Sequence, residues 1–162
     1  MQDWITSALL FIGPSYVSNA APLLFGKGTP IDRGRNFVDS RPLFGAHKTL
    51  RGLIAGIIAG TVFGIIEYPF GAQMPLAGFL IGVGAVVGDL AGAFVKRRFN
   101  VKPGDPFPIL DQLDFVFGAL LLGSLVFPLS WMSVVLVLLV TPPIHLGTNY
   151  GAYVLRLKKT YW

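Results

Sequence analysis

Apolar residues run almost without interruption through five stretches of the chain, at about 4–25, 51–68, 75–95, 109–127 and 131–153. Each comes close to the roughly 20 residues that a helix needs to cross a hydrocarbon core. The expected fold is therefore all-α: a polytopic integral membrane protein of five transmembrane helices in a single membrane domain. Pro14 and Pro22 fall in the first stretch and Pro142-Pro143 in the last, so kinks or early ends are expected there. Pro69-Phe70-Gly71 and Pro128-Leu129-Ser130 read as tight turns between helices. The chain opens Met1-Gln2-Asp3 with no basic segment before the apolar run, so the first helix is expected to remain in the mature protein.

Composition strengthens this picture. Hydrophobic residues make up 53% of the chain and charged residues 13%, about half the charged share of a soluble domain. A polar surface cannot be built from so little, and lipid must be the main solvent. With no cysteine, disulfides, iron–sulfur clusters and thiolate metal sites are excluded. The basic residues are placed on one side. Lys27, Arg33, Arg35, Arg41, Lys48 and Arg51 precede or open the second helix. Lys96, Arg97, Arg98 and Lys102 follow the third, and Arg156, Lys158 and Lys159 lie in the tail. The N-terminus and the two short turns carry none. Basic loops stay in the cytoplasm. The segments at about 26–50, 96–108 and 154–162 are thus expected there, with the N-terminus outside and the C-terminus inside the cell membrane. Gly52, Gly56, Gly60 and Gly64, then Gly84, Gly88 and Gly92, recur every four residues. Such stripes let helix backbones approach closely in lipid.

The acidic residues supply the candidate chemistry. Asp3 reads as a solvated terminus and Glu67 as an interfacial polar residue. Asp89 lies seven residues before Lys96, about 10 Å into the membrane at 1.5 Å per residue. A carboxylate at that depth needs a partner, a proton or a cation. A loop arginine could also pair with it. Asp111 and Asp114 share a helix face at i, i+3 spacing, at a comparable depth, where they would also favour the helix dipole. Three carboxylates at one level, without cysteine or a histidine pair, suit a hard cation such as Mg²⁺, which is commonly shared with substrate phosphates. The surrounding lysines and arginines bind phosphates well, although part of that charge serves topology and anionic-lipid contact. A metal-plus-phosphate site at the inner membrane surface follows. No P-loop is present. His47 and His145 stand alone as loop and helix polar residues. Asn19 could bond either a substrate or a neighbouring helix.

The order Gly88-Asp89, Lys96-Arg97-Arg98, Lys102-Pro103-Gly104-Asp105 and Asp111-Gln112-Leu113-Asp114 resembles the signature of the membrane CTP-dependent cytidylyltransferases. That superfamily includes the CDP-diacylglycerol synthases. The length, the five helices and the loop from Asp39-Ser40-Arg41-Pro42 to Lys48-Thr49-Leu50-Arg51-Gly52 look more like its archaeal branch, the CDP-archaeol synthases, over essentially the whole chain. Pro106-Phe107-Pro108-Ile109-Leu110 stands where the bacterial signature has a His-Gly-Gly segment, which argues against a diacylglycerol substrate. The resemblance implies CTP and an isoprenoid ether lipid phosphate, 2,3-bis-O-(geranylgeranyl)glycerol 1-phosphate, as substrates. CDP-archaeol and pyrophosphate would be the products. It also implies metal ligation by Asp89, Asp111 and Asp114 and phosphate binding by Lys96, Arg97 and Lys102. Lys48 and Arg51 would assist, and Asp105 would bind cation or position its loop. Membrane lipid is the expected surrounding, nucleic acid is not an expected partner, and a homodimer is compatible with the sequence. Two alternatives stay open: a related enzyme acting on another lipid phosphate, and a transporter that uses Asp89 as a coupling carboxylate. A CDP-alcohol phosphotransferase is disfavoured, because Phe115-Val116-Phe117-Gly118 follows Asp114 in place of that family's Gly-x-x-Ala-Arg.

Overall fold

The computed structural model of the chain describes residues 3–70, 75–158 and 160. Among them the long helices are α1 (Trp4–Phe25), α2 (Leu50–Glu67), α3 (Pro75–Arg98), α4 (Leu110–Gly123) and α5 (Trp131–Val154). A short 3₁₀ turn, Tyr68–Phe70, follows α2. Gly71 of the turn expected after α2, and the last aromatic residues of the tail, lie outside the described residues. Local chemistry starts three of the helices. Asp3, Thr49 and Ser130 each turn a side-chain oxygen to an orphan N–H of the first turn, at Thr6, Gly52 and Ser133.

Helices α1, α2, α3 and α5 are long and apolar enough to cross a membrane. The prolines do not end their helices: α1 continues through Pro14 and Pro22 to Phe25, and α5 continues through Pro142 and Pro143. Neighbouring helices sustain a transmembrane helix across a proline more readily than water does. α4 is shorter than its apolar stretch. After Gly123 the N–H groups of Leu125 and Val126 bond three residues back, to Leu122 and Gly123, and those tight turns carry the chain to Phe127.

Helix packing inverts the pattern of a soluble protein. On α2 the buried residues are Gly52, Gly56, Gly60 and Gly64, whereas Ile54, Ile58, Val62 and Ile66 are about half exposed. The glycine face meets α1 and α3. A Cβ on Gly64 would lie 2.6 Å from the Gly78 Cα, so the two backbones touch. Ser18 Oγ of α1 donates to the Gly56 carbonyl at 2.8 Å in the same seam. α3 and α4 form the most extensive pair. There a Cβ on Gly118 would collide with the Gly84 carbonyl oxygen. Without a hydrophobic drive between helices in lipid, such contact supplies van der Waals attraction over a long seam. Between the seams, Phe11, Ile81, Phe115, Val116 and Val137 fill the centre.

Residues 26–49 fold into an ordered cap over one end of the bundle. Asp32 organises it. Its carboxylate accepts the N–H groups of Gly34, Phe44 and Gly45 at 2.9–3.0 Å. Burial pushes the Asp32 carboxyl up, but the N–H donors, Gly45 foremost, outweigh it and hold the group below its ordinary value. A depressed carboxyl stabilises the fold above its unfolded pKa and loses that effect as pH falls through the folded value. The clamp is therefore intact at neutral pH and releases only in strong acid. Asp32→Ala is expected to cost about 2 kcal/mol and to speed hydrogen exchange at the Phe44 and Gly45 amides. Unchanged exchange there would contradict this role. Arg98 fastens the cap to α3. It pairs with Asp39 at 2.7 Å and lies over the rings of Phe37 and Phe94, 5.1 and 4.6 Å from their centroids.

Candidate active site

The charged residues singled out in the sequence meet at the capped end of α3 and α4. Lys48 comes from the cap. Its Nζ lies 2.6 Å from both carboxylate oxygens of Asp89 on α3. Lys96, one turn from the end of α3, sets its Nζ 2.8 and 2.9 Å from the two oxygens of Asp111. The same nitrogen donates to the Asp105 carbonyl at 2.7 Å. Asp105 thus positions the loop through its backbone. Asp111 Oδ2 also accepts the Phe107 N–H at 2.8 Å. That bond closes a tight reversal before α4, in which Ile109 is held at φ 69° and ψ −54° and Leu110 N–H bonds the Pro108 carbonyl at 2.8 Å. This is a γ-turn of the rare, strained hand for a β-branched residue. It brings α4 in so that Asp111 faces Lys96.

Asp114 sits one turn deeper. Its Oδ1 accepts the Phe115 N–H at 2.6 Å, and the charges of Asp89, Lys48 and Asp111 all act on it. It fits against α3 because Gly92 has no side chain: a Cβ there would collide with Asp114 Oδ2. Arg97 is buried at 5% exposure. Its Nη2 donates to the Lys102 carbonyl at 3.3 Å, while Nε and Nη1 are buried without a partner among the described residues. Such donors are costly unless an acceptor reaches them. A small open cleft between α1, α2 and α3 begins at this cluster and is lined by Asn19, His47, Lys48 and Asp89, among others.

The sequence reading put Asp89, Asp111 and Asp114 around one ion. Among the described residues, no three His, Cys, Asp or Glu side chains stand close enough to share one. Asp89 and Asp111 each embrace a lysine, because an ammonium within reach satisfies a half-buried carboxylate. The donor chemistry still fits a hard cation. The donors are all oxygens, and Lys48 Nζ sits evenly between the two oxygens of Asp89, where a cation would compete with it. Arg51 and Lys102 are exposed. The stem of Arg51 lies close to Gly28, and Lys102 contributes its carbonyl to Arg97.

Two residues were undervalued in the sequence. His145 lies beside Phe115, with ring centroids 6.1 Å apart and the planes tilted by 30°, and its Nδ1 lies 3.3 Å from the amide nitrogen of Asn149. The i, i+4 spacing of His145 and Asn149 put them on one face of α5 and was the available signal. Glu67, at the end of α2, turns toward Gly13 of α1, with Oε2 buried and without a partner among the described residues.

An apolar bundle that gathers lysines, a buried arginine and aspartates at one end has the architecture of a membrane enzyme that acts on phosphates. A family model described as CarS-like, CDP-archaeol synthase, matches residues 1–162, and the chain belongs to that family. It is 41% identical to the CDP-archaeol synthase of Methanocaldococcus jannaschii, over 96% of each chain. To that of Pyrococcus furiosus it is 43% identical, over 98% of each. A solved structure, of an intramembrane enzyme for archaeal membrane lipids biosynthesis, superposes with a TM-score of 0.84 at 36% identity. The match covers 91% of this chain and 98% of that one.

Proposed function

We propose that this chain transfers the cytidylyl group of CTP to 2,3-bis-O-(geranylgeranyl)glycerol 1-phosphate, forming CDP-archaeol and pyrophosphate in archaeal phospholipid synthesis. The carrying observation is the charged seam of α3 and α4, Lys48–Asp89 and Lys96–Asp111 beside buried Arg97, at the end of a body otherwise apolar. Family membership points the same way. A phosphate oxygen of the lipid attacks the α-phosphorus of CTP. A new phosphorus–oxygen bond forms, the bond to the bridging oxygen of the β-phosphate breaks, and pyrophosphate leaves.

Substrate phosphates would draw Lys48 and Lys96 from their carboxylates and fill the vacant donors of Arg97, with Lys102 and Arg51 adding charge at the rim. Asn19 would bond the nucleotide in the cleft. Asp89, Asp111 and Asp114 would hold Mg²⁺, which would supply positive charge to offset the charge that develops in the displacement. Five helices would cross the cell membrane, with the N-terminus outside and the site open to the cytoplasm. α4 has 14 residues and rises only about 21 Å. Its acidic start would therefore lie below the headgroups, where a lipid phosphate can reach it. CTP, the ether lipid phosphate and Mg²⁺ given to the purified protein in detergent are expected to yield CDP-lipid. No product with any of several divalent metals would sink the reading.

Orientation has its own test, helped by a chain with no cysteine. Val38→Cys, at a position 91% exposed, is expected to react with an impermeant maleimide from the cytoplasmic side only. Leu125→Cys, at a position 72% exposed, should react only from the other. The reverse labelling would overturn the topology.

A further inference from the structure

α5 and the tail behind it bring a second set of polar groups to the charged cluster. α5 ends at Val154, and Arg156 takes a left-handed conformation at φ 58°, which non-glycine residues adopt uncommonly. The turn closes back on the helix, with the N–H groups of Leu157 and Lys158 both bonding the Ala152 carbonyl. The chain is thereby folded back against α5 instead of running into solvent. Lys158 Nζ then donates to Asn149 Oδ1 at 3.0 Å, and Asn149 in turn meets His145. His145 lies beside the ring of Phe115, the residue after Asp114. The Lys158 ammonium is half-buried and feels the charges of Asp111, Lys96 and Lys48. Burial pushes its pKa below the ordinary lysine value; Asp111 pulls it back up, and Lys96 and Lys48 push it down again. Lys48 and Lys96 are neutralised by Asp89 and Asp111, so Lys158 adds positive charge to the cluster that a phosphate reaching it would meet.

We propose that Lys158, aimed by Asn149 and His145, is a phosphate-binding residue of the reaction centre, reaching it from α5. This inference rests on the cytidylyltransferase reading. The phosphate is either part of the CTP triphosphate or the headgroup of the lipid substrate, and both present the same oxygens to an ammonium. Asn149 is a positioning residue: its amide accepts from Lys158 on one side and meets His145 on the other.

Equilibrium binding separates the two sources and does not depend on turnover. CTP alone, and the ether lipid phosphate alone, are titrated into detergent-solubilised wild-type protein, Lys158→Gln and Lys158→Arg. In Lys158→Gln one of the two ligands is expected to bind about tenfold more weakly, the loss typical of one charge-assisted bond. The other should bind as before, and Lys158→Arg should recover most of the loss. Weaker CTP binding assigns the subsite to the triphosphate; weaker lipid binding assigns it to the lipid phosphate. Asn149→Leu should raise KM for that same substrate more than it lowers kcat. Both ligands binding Lys158→Gln like the wild type, or neither binding the wild type, overturns the subsite. A wild-type protein that binds both ligands yet forms no CDP-lipid would instead remove the reaction and leave the subsite standing.

Discussion

Asp114→Asn is expected to lower CDP-lipid formation by about 10³-fold, the scale set by losing a preorganised charge at a reacting phosphate. The fold should persist. Asparagine has nearly the same shape, so it fits the hollow left by Gly92, and its amide oxygen can still accept the Phe115 N–H. Asp111→Asn should lose turnover to a similar degree and be somewhat less stable, since Lys96 would keep only the Asp105 carbonyl and a neutral amide. Turnover and thermal melting in detergent, measured together, separate the two effects. Near-normal turnover in both variants would remove these carboxylates from the site.

Gly118→Val should fail in a different way. The Cβ alone collides with the Gly84 carbonyl oxygen and would lie 2.7 Å from the Gly88 Cα, so backbone and not a flexible side chain must move. Overpacking of this kind costs about 3 kcal/mol, and it falls on the helix pair that carries the site. Activity and melting temperature are expected to drop together. Gly147 is the control. A Cβ there meets nothing within 4 Å, and Gly147→Ala should melt like the parent. A stable, active Gly118→Val variant would mean that close approach of α3 and α4 is not what holds the site.

The fold was legible where one signal dominated. Apolar runs gave the helices, because lipid demands long apolar segments whose backbone bonds are closed internally. The glycine spacing gave the seams, since Gly56, Gly60, Gly84 and Gly88 all stand where two backbones meet. Other features depend on distant partners. Whether Pro14 or Pro142 ends a helix is decided by the helices around it. The early end of α4 at Gly123 lies inside an apolar run interrupted there only by Ser124, too little to mark a helix end in hydropathy. The acidic residues of the site were visible from depth and spacing, but their pairing was not: Lys48 and Asp89 are 41 positions apart. The approach of Lys158 to the cluster depends on a left-handed Arg156, a conformation that no residue preference at that position signals.

The central claim is that the charged end of this bundle joins a nucleotide to a lipid phosphate by displacement at the α-phosphorus. CTP labelled at the α-phosphorus, and separately at the γ-phosphorus, tests it directly with the ether lipid phosphate and Mg²⁺. The α-label should appear in the lipid product and the γ-label only in pyrophosphate, with one pyrophosphate per CDP-lipid. A lipid carrying the γ-label, or pyrophosphate released without any labelled lipid, would contradict it.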